Sequence, residues 1–129
     1  MKLLLDTCAL IWLESEPQRL SIAAREALKQ SPYELYVSAI SAFEVALKVS
    51  KGRLELALPP EVWFPLVLEH HRLREVPITS AIALHAPTLG LSQADPADRI
   101  VVSTAILLDM TVITADKLIL DFAGVRSIW

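Results

Sequence analysis

Short, strongly apolar runs alternate along this chain with longer segments in which apolar residues recur every three or four positions. The short runs are typical of buried strands, whereas the longer spacing is typical of helices with one buried face. The predicted strands cover residues 2–5, 34–38, 73–78, 111–116 and 125–129. The predicted helices cover residues 8–15, 21–30, 41–52, 59–71, 80–86 and 97–110.

Serine and proline residues indicate where several of these helices begin. Ser21 and Ser41 each precede a helical pattern, and a serine in that position caps the free N–H groups of the first turn. Pro60 fits the first turn of its helix, because no hydrogen bond from its nitrogen is needed there. Pro65 lies deeper in the same segment, where a proline removes a hydrogen bond, so the early part of that helix is left open.

The order of the predicted elements indicates the fold class. Strands alternate with helices over the whole chain, which favours an α/β domain built on a mainly parallel sheet. The first run, residues 2–5, is continuously apolar, as expected for a strand that is buried on both faces. We therefore expect a three-layer α/β/α domain with helices on both sides of a central sheet.

The composition favours one compact domain that covers residues 1–129. Of the 129 residues, 53% are hydrophobic and only three are glycine, which is enough apolar material for a substantial core. Charged residues interrupt every apolar stretch before the roughly 20 residues that a membrane span needs. The apolar run at the start stops at Asp6, too early for a signal peptide. We therefore expect a cytoplasmic protein without a membrane segment.

The charge and the cysteine content narrow the possible functions. The formal net charge of −3 gives no overall basic field, so any contact with nucleic acid must use a local patch. The single cysteine cannot form an internal disulfide. One cysteine and three scattered histidines also do not provide a usual zinc-binding spacing.

Four acidic residues fall at the same predicted edge of the sheet. Asp6 and Asp116 come at the ends of strands, while Glu44 and Asp98 lie near the starts of helices. The carboxyl ends of parallel strands share one edge, which is where open α/β sheets bind ligands. Carboxylates that converge without a cation raise each other's pKa, so convergence indicates a metal ion. A site of oxygen ligands suits Mg²⁺ or Mn²⁺ better than zinc.

Each acid also has a local explanation. Asp95, which precedes a proline, is a typical helix cap, and Asp98 in the same turn would face the helix dipole favourably. Glu44 and Lys48 have the spacing of an exposed ion pair on a helix. Asp116 alone would be explained as a turn residue. The prediction of a metal site therefore depends on the four acids taken together.

Four segments, in this order and spacing, carry a resemblance to a known family: LLLDTCALIWL, LYVSAISAFEVALKVSKGRLEL, DPADRIVVSTAILLDMTVITAD and VRSIW. Over essentially its whole length the chain resembles the PIN-domain ribonucleases, and specifically the VapC-type toxins of bacterial toxin–antitoxin pairs. The resemblance implies a PIN fold. It also implies metal-dependent hydrolysis of RNA that leaves a 5′-phosphate and a 3′-hydroxyl.

The resemblance also implies roles for individual residues. It places the acidic quartet, whose members bind the metal and are catalytic, on Asp6, Glu44, Asp98 and Asp116. Thr114 takes the position of the polar residue beside the site, and Asp95 is then the helix cap. Cationic side chains near the motifs are candidates for contacts with RNA phosphates. These candidates are Lys48, Lys51, Arg53 and Arg99.

Two positions depart from the pattern of the family. Cys8 and Gln93 stand where relatives often have histidine, and neither belongs to the acidic quartet, so they bear on substrate preference and the surroundings of the site. Two other enzyme or signalling classes fit less well. A dehalogenase-type phosphatase needs a second aspartate at position 8, and the adjacent acidic pair of a receiver domain is absent. The alternative to a ribonuclease is a non-catalytic binding module on the same fold.

The resemblance implies two protein partners, a second copy of the chain and a small antitoxin whose C-terminal segment approaches the acidic site. Trp63, beside Phe64, is a candidate surface anchor, whereas Trp12 is expected in the core. The expected antitoxin groove lies between the helices at 41–52 and 59–71, which carry more apolar residues than one internal face requires. The alternative for these residues is the core or a homodimer interface.

Overall fold

The computed structural model describes residues 1–129 and contains one five-stranded sheet in which every strand pair is parallel. The strands are β1 (Leu3–Leu5), β2 (Leu35–Ser38), β3 (Arg74–Val76), β4 (Thr111–Ile113) and β5 (Ser127–Ile128). Their order across the sheet is β3-β2-β1-β4-β5. The strands β2 and β3 therefore extend the sheet on one side of β1, and β4 and β5 extend it on the other side.

Seven α-helices cover the sheet. They are α1 (Thr7–Ser15), α2 (Ile22–Gln30), α3 (Ala39–Ser50), α4 (Pro60–His71), α5 (Ser80–His85), α6 (Pro96–Leu107) and α7 (Lys117–Leu120). All the predicted strands and helices are present, and the structure adds α7, whose single turn is too short to show a periodic pattern. None of these helices combines the length and the hydrophobicity that a membrane crossing requires.

Apolar side chains form two core clusters, one on each face of the sheet. Leu3 and Leu5 belong to the larger cluster, which includes residues of α1, α2 and α4, while Leu4 belongs to the cluster with α5 and α6. This division follows because successive residues of a strand point to opposite faces. None of the three leucines has any exposed surface. The prediction of a doubly buried first strand and a three-layer α/β/α domain is therefore confirmed.

Because β1 lies in the middle of the sheet, the strands that follow it are added first on one side of β1 and then on the other. Leu5, the last residue of β1, pairs with Val37 of β2 on one side and with Ile113 of β4 on the other. Open α/β sheets bind ligands at such a point, outside the carboxyl ends of the strands. The residues that follow these three strands are therefore candidates for a common site.

The structure corrects the predicted start of α3 and places both Pro60 and Pro65 within α4. The N-cap of α3 lies three residues earlier than expected, because Ser38 Oγ accepts a hydrogen bond from the Ile40 N–H at 3.1 Å. The assignment of this cap to Ser41 was wrong, since both serines satisfy the cap preference and only the end of β2 decides between them. In α4 the helix begins at Pro60 and continues through Pro65.

The buried face of α4 corrects the prediction of a surface anchor. Trp63 and Phe64 are only 7% and 6% exposed and belong to the larger core cluster. They share helical spacing with the buried Val67, which is the pattern of a core-facing stripe. The exposed apolar residues of α4 are Val62 and Leu66 instead.

Candidate active site

A cleft of about 310 Å³ opens at the carboxyl edge of the sheet. All four predicted acids line it, although they come from four separate parts of the chain. The lining residues are Asp6, Thr7, Cys8, Trp12, Glu44, Lys48, Asp95, Asp98, Ala115 and Asp116. The parallel strands thus bring together carboxylates from both ends of the sequence.

Asp6 is the most enclosed of the four acids, with 7% of its surface exposed. It is the N-cap of α1, and its Oδ1 accepts a hydrogen bond from the Ala9 N–H at 2.8 Å. Its Oδ2 accepts a hydrogen bond from the Thr114 hydroxyl at 2.5 Å. Thr114 directly follows β4, so the pairing of β4 with β1 brings this hydroxyl to Asp6. Both carboxylate oxygens are therefore fixed in direction.

Glu44 lies on the second turn of α3 and is held by a hydroxyl group from α1. Its Oε1 accepts a hydrogen bond from the Thr7 hydroxyl, and Thr7 Oγ1 also lies 2.8 Å from Ser41 Oγ. Both hydroxyl residues are buried. Sequence reasoning missed this support, although Thr7 directly follows Asp6 and Ser41 lies one helical turn before Glu44.

Asp95 and Asp98 lie in the same turn at the start of α6. Asp95 caps the helix as predicted, because its Oδ1 accepts a hydrogen bond from the Asp98 N–H at 2.8 Å. Asp95 also lines the cleft, which the sequence did not predict. It therefore adds a fifth carboxylate to the rim of the site.

Asp116 follows β4 and is the N-cap of α7. Its Oδ1 accepts a hydrogen bond from the Leu118 N–H at 2.9 Å. Its own N–H donates to Thr114 Oγ1 at 3.0 Å. The fully buried Thr114 hydroxyl thus contacts both Asp6 and the backbone of Asp116.

Burial and mutual repulsion oppose ionisation in this cleft. Burial raises the pKa of Asp6 to about 6, although its two hydrogen bonds act in the opposite direction. Burial, and after it the negative charges of Asp95 and Asp116, raise the pKa of Asp98 to about 7. Burial also raises the pKa of Glu44. The cleft therefore holds carboxyl groups that the protein alone does not keep fully ionised at neutral pH.

The positive side chains of the protein do not compensate for this charge by direct pairing. Its five ion pairs all lie outside the cleft. Lys48 lines the cleft and lowers the pKa of Glu44, but burial and the charge of Asp95 outweigh it. The atoms in the cleft that could bind a metal ion are almost all carboxylate oxygens, and the protein leaves their negative charge uncompensated. A hard divalent cation prefers oxygen ligands and stabilises such charge.

A smaller pocket of about 190 Å³ adjoins the acidic cleft and shares Glu44, Lys48 and Asp95 with it. Lys51 and Arg53 also line this pocket, so three of the four predicted phosphate contacts lie together. Arg99 lies on α6 and lines neither cavity, and its Nε is buried without a hydrogen-bond partner. A cationic surface therefore begins where the acidic cleft ends.

Trp12 packs against the core, as expected, and also forms part of the cleft wall. Its ring centroid lies 5.6 Å from that of Trp129 in a tilted arrangement, and the Arg19 guanidinium lies 4.3 Å from the centroid of the Trp12 ring. Cys8 is exposed on the same wall. The cleft therefore has an aromatic face beside its acidic one.

Comparison with known proteins gives a consistent family assignment. The family model of the PIN domain matches residues 3–125. Ribonuclease VapC22 of Mycobacterium tuberculosis is 41% identical over 115 residues, which cover 88% of this chain and 86% of that protein.

Solved structures show the same fold. The DNA-bound VapBC of Salmonella typhimurium aligns with a TM-score of 0.73 at 20% identity, over 99% of this chain and 97% of that chain. A toxin–antitoxin complex from Klebsiella pneumoniae aligns with a TM-score of 0.71 at 24% identity and the same coverage. The match of the family model over residues 3–125 and the 41% identity over 115 residues show that the chain belongs to the PIN domain family.

Proposed function

We propose that this protein is a metal-dependent endoribonuclease and the toxin of a toxin–antitoxin pair. The observation that carries the proposal is the convergence of Asp6, Glu44, Asp98 and Asp116 from separate elements into one cleft. A relative at 41% identity is named as a ribonuclease, which supports the same reaction here. In this proposal residues 1–129 act as a single PIN domain in the cytoplasm.

The four carboxylates would hold Mg²⁺ or Mn²⁺, since hard cations prefer oxygen ligands and a positive charge relieves the repulsion among the acids. A divalent ion bound there lowers the pKa of a coordinated water and polarises a phosphoryl oxygen. Glu44 uses one oxygen to accept the Thr7 hydrogen bond and Asp116 uses one to accept a backbone N–H, which leaves each a free oxygen for the ion.

Buried hydroxyl groups position these carboxylates. The Thr114 hydroxyl donates a hydrogen bond to Asp6, and the Thr7 hydroxyl donates one to Glu44. Both carboxylates are therefore oriented before a cation or substrate binds. Such supporting hydrogen bonds tune metal sites, and their loss typically lowers metal affinity or activity by roughly 10- to 100-fold. We assign Thr114 and Thr7 this positioning role.

The surroundings of the cleft favour RNA with unpaired bases. Phosphates on either side of a cut need cationic partners, which Lys48, Lys51 and Arg53 supply in the adjoining pocket. Arg99 remains a further candidate on the neighbouring helix. The carboxylates lie in a cleft at the edge of the sheet, which the accessible phosphates and splayed bases of unpaired RNA can reach. We therefore propose single-stranded or loop RNA as the substrate.

Incubation of total RNA with the purified protein tests the proposed reaction. We expect cleavage at unpaired sites with Mg²⁺ or Mn²⁺, loss of cleavage with a chelator, and product ends that carry a 5′-phosphate. Glu44→Gln removes one charged ligand and is expected to abolish cleavage, while Glu61→Gln, an exposed glutamate of α4, serves as the matched control.

Two results would contradict the proposal. RNA cleavage that persists in Glu44→Gln would indicate a contaminating nuclease. RNA binding without any metal-dependent cleavage would instead support a non-catalytic binding module on this fold.

Exposed apolar residues on two neighbouring helices support the proposed protein partners. Phe43 and Leu47 of α3 are 60% and 37% exposed, and Val62 and Leu66 of α4 are 44% and 49% exposed. The two helices pack against each other, and we call their exposed apolar side chains together the α3–α4 face. Exposed apolar patches commonly mark protein interfaces.

We assign the α3–α4 face to the antitoxin. The apolar side chains of the antitoxin would cover this face, while an Arg or Lys of the antitoxin would reach the acidic cleft and pair with the carboxylates. A second copy of the chain is the other proposed partner, and the α3–α4 face is its alternative site.

Co-expression with the product of an adjacent short open reading frame tests the antitoxin assignment. We expect stable copurification and loss of RNA cleavage, because the basic side chain displaces the catalytic cation. Phe43→Glu places a charge on the α3–α4 face and is expected to disrupt the complex. A stable complex that retains full nuclease activity would refute inhibition at the acidic cleft.

A further inference from the structure

A second group of potential metal ligands lies apart from the acidic cleft, where the ends of α1 and α4 meet. It consists of Glu14 near the end of α1 and of His70 and His71, the last two residues of α4. None of the three lines the acidic cleft. Glu14 lies eight residues along α1 from the cap Asp6, which is roughly 12 Å at the rise of a helix.

The three side chains meet at a single oxygen atom. Glu14 Oε2 lies 3.2 Å from His70 Nδ1 and 2.6 Å from His71 Nε2. The three potential ligand atoms all lie within 4.8 Å of one another. The side chains of Glu14 and His71 are 27% and 19% exposed, while that of His70 is 67% exposed. The group is thus partly shielded on one side and open to solvent on the other.

Two different ring nitrogens allow neighbouring histidines to reach the same point. Consecutive residues on a helix point in different directions and do not normally share a partner. Here His70 uses Nδ1, the nitrogen near its backbone, whereas His71 uses the more distant Nε2. Glu14 Oε2 contacts one nitrogen of each ring, and the two rings lie against each other with their centroids 4.4 Å apart.

The carboxylate in this group is a charged acceptor before any ion arrives. Burial acts against its ionisation, but the hydrogen bonds from His71 and His70 outweigh burial and keep the pKa of Glu14 below its usual value. An ionised carboxylate can only accept hydrogen bonds, so the ring N–H groups donate to it. A cation can replace those N–H groups if each ring moves its proton to the other nitrogen.

Two imidazole nitrogens and one carboxylate oxygen form a ligand set that zinc accepts, with bonds of about 2.0–2.2 Å. In a tetrahedral site with such bonds the ligand atoms lie roughly 3.3–3.5 Å apart. The distance from Glu14 to His70 lies within about 0.3 Å of this range, and the distance from Glu14 to His71 needs to increase by less than about 1 Å. Mg²⁺ prefers oxygen ligands to imidazole nitrogens. It therefore suits the acidic cleft better than this group of histidines.

We propose that Glu14, His70 and His71 form a binding site for Zn²⁺ or a similar divalent transition metal, separate from the acidic cleft and closing the end of α1 against the end of α4. The solvent-facing side beside His70 leaves room for a water as the fourth ligand. No spacing in the sequence indicates this site, because the carboxylate lies 56 and 57 residues from the two histidines. The proposal does not depend on the nuclease activity.

Nitrogen NMR of the histidine rings in the intact chain provides the first test. Zn²⁺ is added to one equivalent in excess Mg²⁺, which saturates the acidic cleft. We expect the signals of His70 Nδ1 and His71 Nε2 to shift, while those of His85, which bonds to Ser103 elsewhere, stay in place. Mg²⁺ alone is expected to leave all three rings unchanged. Unshifted His70 and His71 signals would overturn the proposal without any variant.

Calorimetric titration with Zn²⁺ under the same conditions provides the second test. We expect binding of one ion, with the affinity reduced at least about tenfold in Glu14→Gln and in His71→Gln. Glu69→Gln, an exposed neighbour on α4, is expected to bind as the wild type does. Equal affinity in all of these proteins, or Zn²⁺ binding that Asp98→Asn abolishes, would place the ion elsewhere and refute the site.

Discussion

Replacement of Asp98 by asparagine is expected to lower the rate of RNA cleavage by roughly 10²- to 10³-fold. Asp98 lies in the cleft with the other three acids, and the amide cannot supply the negative charge that a divalent ion needs. A metal ion contributes several kcal/mol to stabilising the transition state, and about 1.4 kcal/mol corresponds to a tenfold change in rate. Cleavage of a short unpaired RNA under single-turnover conditions, together with Mn²⁺ binding, measures the effect.

Asp95→Asn is the matched control, because it changes the same functional group three residues away. Asparagine caps helices about as well as aspartate, so the hydrogen bond to the Asp98 N–H is expected to remain. The variant should therefore keep most of the activity. It also removes a charge that raises the pKa of Asp98, so its activity profile is expected to extend to lower pH. Equal loss of activity in both variants would contradict the separate roles.

The metal-free protein is expected to lose stability as the pH rises from about 4 to about 7, and Mg²⁺ is expected to remove this dependence. The pKa of Asp6 is raised to about 6 and that of Asp98 to about 7, above the ordinary value of 3.8. Between these values the folded protein retains protons that the unfolded chain has released. The free energy of unfolding therefore falls with increasing pH in this range. Bound Mg²⁺ favours the ionised acids, which lowers their pKa values toward the ordinary range and so removes the effect.

The nearly fully buried Asp6 allows a rough magnitude. A shift from 3.8 to about 6 corresponds to roughly 3 kcal/mol at about 1.4 kcal/mol per pKa unit. Asp98 adds less than its shift suggests, because part of it is in contact with water, which screens the charges. Urea unfolding with a chelator at about pH 4.5 and about pH 7.5 is expected to show roughly 2 kcal/mol of this amount, because the full effect is present only below the ordinary pKa of 3.8. Asp6→Asn should flatten this dependence, and an unchanged slope in that variant would show that other groups cause it.

The fold was predictable because its signals are local. The apolar run at β1, the serine cap of α2 and the aspartate cap of α6 each depend on residues within one turn or strand. The resemblance of the motifs to a known family then implied how these elements are arranged in the fold. The cap of α3 was misassigned because Ser38 and Ser41 have the same local chemistry. Trp63 was misplaced because a tryptophan beside a phenylalanine fits both an exposed anchor and a buried stripe.

The sequence predicts the four acids that line the cleft, but it does not predict the contacts that support them. The hydrogen bonds from Thr7 to Glu44 and from Thr114 to Asp6 join residues that are 37 and 108 positions apart. No spacing rule connects such residues, since only the register of the sheet brings them together. The electrostatic effect of Asp95 was missed for the same reason, because its role as a cap already explained its presence.

The pairing of the first strand with the fourth also has a consequence for the order of events during synthesis. Asp6 is synthesised before Thr111–Ile113 of β4 and before Asp116, and Thr114 follows it by 108 residues. At roughly 5 to 20 residues per second the intervening chain takes about 5 to 20 s to make. The nascent chain therefore cannot complete the acidic cleft until β4 and the residues that follow it have been made.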